Sequence, residues 1–211
     1  MYLVAFEHRI FAWTILFLVG FGSYSSGGSR WLDEQSSYRL GHFIENRMAR
    51  FPGAETDSHA LARILVRESG RARLDPLLLL SIIETESKYR SNAVGAHGEI
   101  GLMQVKPTTA NWILNFSDKT GALDLYDPAI NISAGIAYLT WLQARFGSDL
   151  NRSIAAYNAG ASRTRMLAKQ GHKSFYSVLV QSRYRDLQKE WTRVAQLTSP
   201  LNQMPRLASL R

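Results

Sequence analysis

Between Asp75 and Glu86 the chain reads Asp-Pro-Leu-Leu-Leu-Leu-Ser-Ile-Ile-Glu-Thr-Glu. Asp is a preferred N-cap and Pro suits the first helical position, so a helix is predicted to begin at Pro76. From Leu77 to Ile83 only Ser81 is polar. A helix that is apolar all round has no solvent face, so it must be buried on most sides. The rest of the chain then has to supply the wrapping, and it ends this buried rod on two carboxylates, Glu84 and Glu86.

The wrapping is helical as well. Asp57-Ser58 reads as an N-cap, followed by Leu61, Ile64 and Leu65 at helical spacing, with Leu74 as a candidate last member. Lys106-Pro107-Thr108 opens a helix running toward Asn115, and Asp127-Pro128 repeats the Asp-Pro start. Behind it Ile132, Ile136, Leu139, Leu142 and Phe146 keep one face, with Gly147 as the residue that ends the helix. Asp149 or Ser148 caps a short helix that stops at Gly160, and Val180, Tyr184, Leu187, Trp191 and Val194 stripe a last, long one. No alternating strand of useful length occurs, apart from a possible short hairpin over Glu99–Val105 within the glycine-rich stretch Ser91–Gly101. The fold class is therefore all-α. The expected organisation is an N-terminal export segment with a Gly/Ser linker (residues 1–29), a helical or irregular extension (30–56), the main domain (57–190) and a basic tail (191–211).

Export is read from Ile10 to Phe21, an apolar run preceded by His8 and Arg9 and followed by Gly22-Ser-Tyr-Ser-Ser-Gly-Gly-Ser29. It is short for a membrane span, which needs about 20 residues, and suits a signal peptide. The apolar start Met1–Phe6 keeps an uncleaved membrane anchor open, and the buried N-terminal helix ranks below both. The periplasm or cell envelope is the expected location. The chain has no cysteine, which excludes disulfides, thiolate metal sites and a cysteine nucleophile. The five histidines form no metal-binding spacing, and neither a metal nor a cofactor is expected. The net charge of +8 lies wholly beyond Gly160: from Arg163 onward there are ten Lys/Arg against two Asp/Glu, while the first 162 residues balance. A packed helix with a solvated basic face is the first reading of that segment. Contact with anionic wall polymer or phospholipid is the second. Nucleic acid is disfavoured, because no recognition motif is present and the chain is read as exported.

Glu86 is the candidate catalytic residue. A carboxyl at the rim of an apolar core loses hydration, which disfavours its charged form and raises its pKa into the range of a general acid. Glu84 lies about 200° round the helix at 3.6 residues per turn and should face elsewhere. Helix position alone would leave Glu86 an ordinary exposed helix-end Glu.

Its neighbours decide otherwise. Glu86-Ser87, then Gly101-Leu102-Met103-Gln104, Pro107-Thr108-Thr109-Ala110, Asp127-Pro128 with Asn131-Ile132, and Ala156-Tyr157-Asn158-Ala159-Gly160 follow in order. Together they resemble the soluble lytic transglycosylases of the lysozyme-like superfamily, over roughly residues 57–162. The resemblance implies a lysozyme-like domain with a saccharide-binding groove. Its substrate would be peptidoglycan glycan strands, cut between N-acetylmuramic acid and N-acetylglucosamine without water, to leave a 1,6-anhydro end. It implies Glu86 as acid and then base, Tyr157 and Ser87 in support, and Gln104, Met103, Asn158 and Gly101 at groove positions. Read as residues alone, Tyr157 and Met103 fit a core and Asn158-Ala-Gly160 fits a helix end, whereas Gln104 between apolar neighbours favours substrate contact. Glu99 is a possible second carboxylate, the water activator of a hydrolysing muramidase of the same fold; a solvated loop Glu is the plainer reading. A non-catalytic peptidoglycan-binding scaffold is the remaining alternative.

Overall fold

The computed structural model describes residues 34–54, 57–115, 123–147 and 149–197. The apolar run Ile10–Phe21, the Gly/Ser linker and the end of the basic tail lie outside the described residues. Among the described residues eight helices follow in chain order: α1 (Glu34–Met48), α2 (Ser58–Ala72), α3 (Pro76–Glu86), α4 (Pro107–Ile113), α5 (Pro128–Phe146), α6 (Leu150–Ala159), α7 (Ala161–Lys169) and α8 (Phe175–Leu197). The all-α reading holds. The expected hairpin shrinks to two isolated bridges, Val94 with Ile100 and Ile100 with Val105. The chain turns too tightly there for a ladder, with Gly101 (φ +78°) and Gln104 (φ +49°) both left-handed between the bridging residues.

The starts are where side-chain chemistry placed them. Asp57, Asp75, Asp127 and Asp149 each accept a backbone N–H from the first turn of α2, α3, α5 and α6, at 2.8–3.0 Å. These bonds satisfy donors that a helix end otherwise leaves unpaired. Helix α2 stops at Ala72, because Arg73 takes the left-handed conformation and closes a C-cap on Ser69 and Gly70, so Leu74 falls outside it.

Helix α3 is the centre of the core, with every residue from Pro76 to Glu84 buried. Helices α2 and α8 pack on it, α5 packs on α2, α4 and α6, and α6 touches α8. Full burial of one Leu or Ile contributes roughly 1.5–3 kcal/mol, so among the described residues this rod is a dense concentration of apolar stabilisation. Helix α1 belongs to the same core through Leu40, Phe43, Ile44 and Met48, and the Phe43 ring meets Trp191 of α8 edge-on at 5.4 Å. Position 190/191 falls inside α8, which runs unbroken to Leu197.

Polar ties fix α8 antiparallel along α3. Tyr184 donates to the Asp75 cap at 2.5 Å, Arg183 to Glu84 at 2.6 Å, and Tyr176 to Glu86 at 2.5 Å. Glu84 is 2% exposed and also takes two bonds at 3.0 Å from the Arg47 fork of α1 and one at 2.8 Å from Tyr89. Burial alone would raise its pKa, but the bonds from Arg47, Tyr89 and Arg183 and the charge of Arg47 outweigh it and hold the carboxyl below its usual value. Removing one partner of a buried charge costs about 3–5 kcal/mol, because the charge left behind cannot rehydrate. With Arg183 and Tyr89 still in place, Arg47→Ala should lower stability by about 2–4 kcal/mol, seen as a lower denaturant midpoint at pH 7.

Candidate active site

Glu86 is the last residue of α3, at the point where the buried rod reaches a groove. That groove has a volume of about 420 Å³ and is lined by Glu86, Glu99, Gln104, Tyr138, Tyr157 and Asn158 among others. The turn after α3 is made by two left-handed residues, Lys88 (φ +53°) and Tyr89 (φ +65°), which drop the Tyr89 ring into the core and leave Glu86 at the surface of the groove.

Burial pushes the Glu86 carboxyl up to about 7, the negative charge of Glu99 adds to the rise, and the Tyr176 hydroxyl bond opposes it. Glu99 differs in kind. It is 23% exposed, and its oxygens take the His97 N–H at 3.0 Å and the Lys106 ammonium at 3.3 Å. Desolvation would raise its pKa, but hydrogen bonds from its own and the His97 backbone N–H, together with the bond and charge of Lys106, outweigh it and hold the carboxyl below the ordinary value. One carboxyl protonated near neutrality and one ionised therefore share a groove, each set by its environment.

Tyr157 of α6 lies beside Glu86 and donates to the Met103 carbonyl at 3.0 Å. Its pKa is raised well above 10 by burial and by the Glu86 charge, so the phenol remains a neutral donor. The Tyr138 ring leans on Tyr157 with centroids 5.4 Å apart, and stacks on Trp141 at 14°. Asn158 is exposed on the groove wall.

Four expected site residues are otherwise engaged. Met103 is fully buried under α5, with its sulfur against Gly135, where a Cβ would come within 2.4 Å of it. Its side chain is packing and not groove surface. Gly101 is buried, and a Cβ there would meet the Asn131 amide nitrogen at 2.3 Å and the Leu125 carbonyl at 2.5 Å. It is glycine because the backbone crosses α5 closely, not to admit a sugar. The Ser87 hydroxyl donates back to the Ile83 carbonyl at 3.2 Å and does not hold the Glu86 carboxylate. Gln104 does line the groove, yet its amide N–H groups go to the Ala93 and Gly101 carbonyls at 3.1 and 2.9 Å, closing the loop on itself.

Asn131 explains how that loop is held. It accepts from the Met103 N–H and donates to the Ile100 and Leu125 carbonyls, all at 2.8 Å. Tyr138, which lines the groove, and Tyr176, which bonds Glu86 at its edge, are residues that motif reading passed over. Tyr176 was visible as one more step, i−4 from Val180, of the α8 stripe. Tyr138 was visible as an aromatic off the apolar face of α5.

The chain is similar to known proteins of one family. The family model of the transglycosylase SLT domain matches residues 64–178. The membrane-bound lytic murein transglycosylase C of Haemophilus influenzae is 38% identical over 109 residues, 46% of this chain and 30% of the relative. The membrane-bound lytic murein transglycosylase E of Buchnera aphidicola is 27% identical over 152 residues, 70% of this chain and 63% of the relative. The chain thus spans only part of the length of these relatives. Among solved structures, an inactive mutant of the lytic transglycosylase Slt from Pseudomonas aeruginosa aligns with a TM-score of 0.50 and 26% identity, over 79% of this chain and 29% of that one. The 70 kDa soluble lytic transglycosylase of Escherichia coli aligns at 0.56 and 21% identity, over 82% and 33%.

The electrostatics of Glu86 have a signed consequence. Its folded pKa is raised, so the folded state holds the proton more tightly and loses stability as pH rises from about 4.5 through about 7. Glu86→Gln should therefore stabilise the protein by about 2–3 kcal/mol at pH 8 and hardly at all at pH 4, read from melting temperatures at the two pH values. Tyr176→Phe removes the bond that favours the carboxylate and should move the Glu86 titration upward, observable by carboxyl-carbon NMR.

Proposed function

The chain belongs to the transglycosylase SLT domain family, and on that basis we propose that it is a lytic transglycosylase acting on the glycan strands of peptidoglycan. Glu86 carries the reading: a carboxyl held protonated near neutrality by burial, in a groove with an aromatic wall and a second, ionised carboxylate.

In this reading the Glu86 carboxyl donates its proton to the glycosidic oxygen as the bond from that oxygen to C1 of N-acetylmuramic acid breaks. The resulting carboxylate takes the proton of the C6 hydroxyl of the same sugar as O6 bonds to C1. The strand ends in 1,6-anhydro-N-acetylmuramic acid, no water is consumed and Glu86 is again protonated. A single acid suffices because the internal hydroxyl replaces the water that a second carboxylate activates in hydrolysis. A pKa near 7 suits both halves, since one group must give and then take a proton. Tyr176 aims the Glu86 oxygen, and the developing charge at C1 faces a groove that also carries the negative Glu99. Tyr157 holds the Met103 carbonyl and walls the acid, while Asn158 and Tyr138 are placed to touch the sugars. Gln104, Met103, Gly101 and Ser87 serve the site by shaping its loop and helix end.

Glu99 as a water activator would make the enzyme a hydrolysing muramidase. Its oxygens are engaged by His97 and Lys106, which leaves it poorly disposed to take a proton from water. The relatives named membrane-bound and the apolar run Ile10–Phe21 support export to the envelope, with the domain facing the wall and the N-terminal segment as signal or anchor.

Mass spectrometry of products from purified peptidoglycan tests the reading. Transglycosylation predicts fragments one water lighter than reducing-end products, and hydrolysed fragments would replace it by the muramidase. Glu86→Gln should lower turnover by at least about a thousandfold while strand binding persists, and turnover falls as pH rises above about 7, where the acid loses its proton.

A further inference from the structure

The groove does not end at Glu86. It continues past Tyr176 into a cavity of about 1180 Å³ between α6, α7 and the start of α8, and Glu99, Lys106 and Asn158 line both. Apart from Tyr176, the proposed reaction uses none of the residues peculiar to this annex.

Its chemistry is cationic. Lys106 and Arg152 are neutralised by Glu99 and Asp149. Arg163 and Lys173, exposed on the walls, have no acidic partner among the described residues. Arg163 is in the first turn of α7, whose N-cap is Gly160, so no side chain caps that end. The free N–H groups and the helix dipole there favour an anion. Thr164, next along α7, is an independent sign. It is 5% exposed, lines the cavity, and its hydroxyl has no hydrogen-bond partner. An unsatisfied buried hydroxyl costs about 1–3 kcal/mol, which an arriving oxygen acceptor would recover. Phe175, 82% exposed on the rim, offers a flat apolar face beside the charges.

We propose that this annex is a carboxylate-binding subsite for the lactyl side arm of the muramyl sugar, holding either its own carboxylate or that of the peptide stem it carries. Arg163 and Lys173 supply the charge, and the first turn of α7, with the unpartnered Thr164 hydroxyl, lines the cavity beside them. The inference rests on the peptidoglycan reading for the identity of the strand, but not on catalysis. A strand anchored here on one side of Glu86 would be set in register, so that muramyl and not glucosaminyl residues meet the acid.

The test uses the full chain carrying Glu86→Gln, so that binding is measured without cleavage. Three soluble probes are compared: glycan strands with peptide stems, strands stripped of stems by an amidase, which retain the free lactyl carboxylate, and N-acetylglucosamine oligomers, which have no carboxylate. Both muramyl probes, or only the stem-bearing one, should bind more tightly than the oligomers, and the pattern tells which carboxylate is held. Adding Arg163→Gln and Lys173→Gln should erase that advantage, a loss of about tenfold, while oligomer binding stays within about twofold. Equal affinity for all three probes, or a double substitution that weakens oligomers as much as muramyl strands, would overturn the subsite. A transglycosylase without this subsite would still yield anhydro products, so the two failures are separable.

Discussion

The carboxylate of Glu84 is the interaction on which the rest depends. It is a charge in the densest part of an apolar core, and it is tolerable only because Arg47, Arg183 and Tyr89 converge on it. Those partners come from α1, from α8 and from the turn after α3. Satisfying one buried anion therefore docks both ends of the described chain against the central helix. Buried ion pairs are a poor source of net stability, but they discriminate strongly between registers, because a slipped α8 would strand Glu84 without its arginine. The correct register also sets Tyr184 on the Asp75 cap and Tyr176 on Glu86.

Glu84 and Glu86 show how little sequence distance controls chemistry. They are two residues apart on one helix, about 200° round its axis. One turns inward to two guanidinium groups and is held ionised. The other turns to a half-open groove with only a phenol for partner and is pushed up to about 7. Burial penalises both; the difference is whether cations are delivered to offset it. The residues that deliver them, Arg47 and Arg183, lie outside the stretch 64–178 that matches the family, so the ionised state of Glu84 depends on parts of the chain that the family motifs do not mark.

Much of the fold was legible for local reasons. Four Asp caps, three Pro starts and the apolar spacing of α2, α5 and α8 operate within one or two turns, and each appears where its own chemistry puts it. The site was legible only where a residue type has one plausible role, as with Glu86 at the end of an apolar rod and Tyr157 near it. Gln104 lines the groove, but nothing in a linear reading reveals that Ala93 and Gly101 present their carbonyls to its amide. Met103, which fits a core when read alone, and Gly101 are explained in a related way. Their motif marks a loop pinned under α5 by Asn131, so these positions answer to packing demands at the groove's floor and not to the sugar above it.

By itself the sequence determined that the chain is helical, that α3 must be enclosed, and that a carboxyl sits at the edge of that enclosure. These follow from hydrophobic periodicity and capping, which are short-range and written in consecutive residues. Only the tertiary structure decided that Glu84 is held ionised by two arginines, that Tyr176 holds Glu86, and that the groove runs on into a cationic annex. Those depend on desolvation and on charges brought together from 37 and 99 residues away along the chain, distances over which no local pattern carries information.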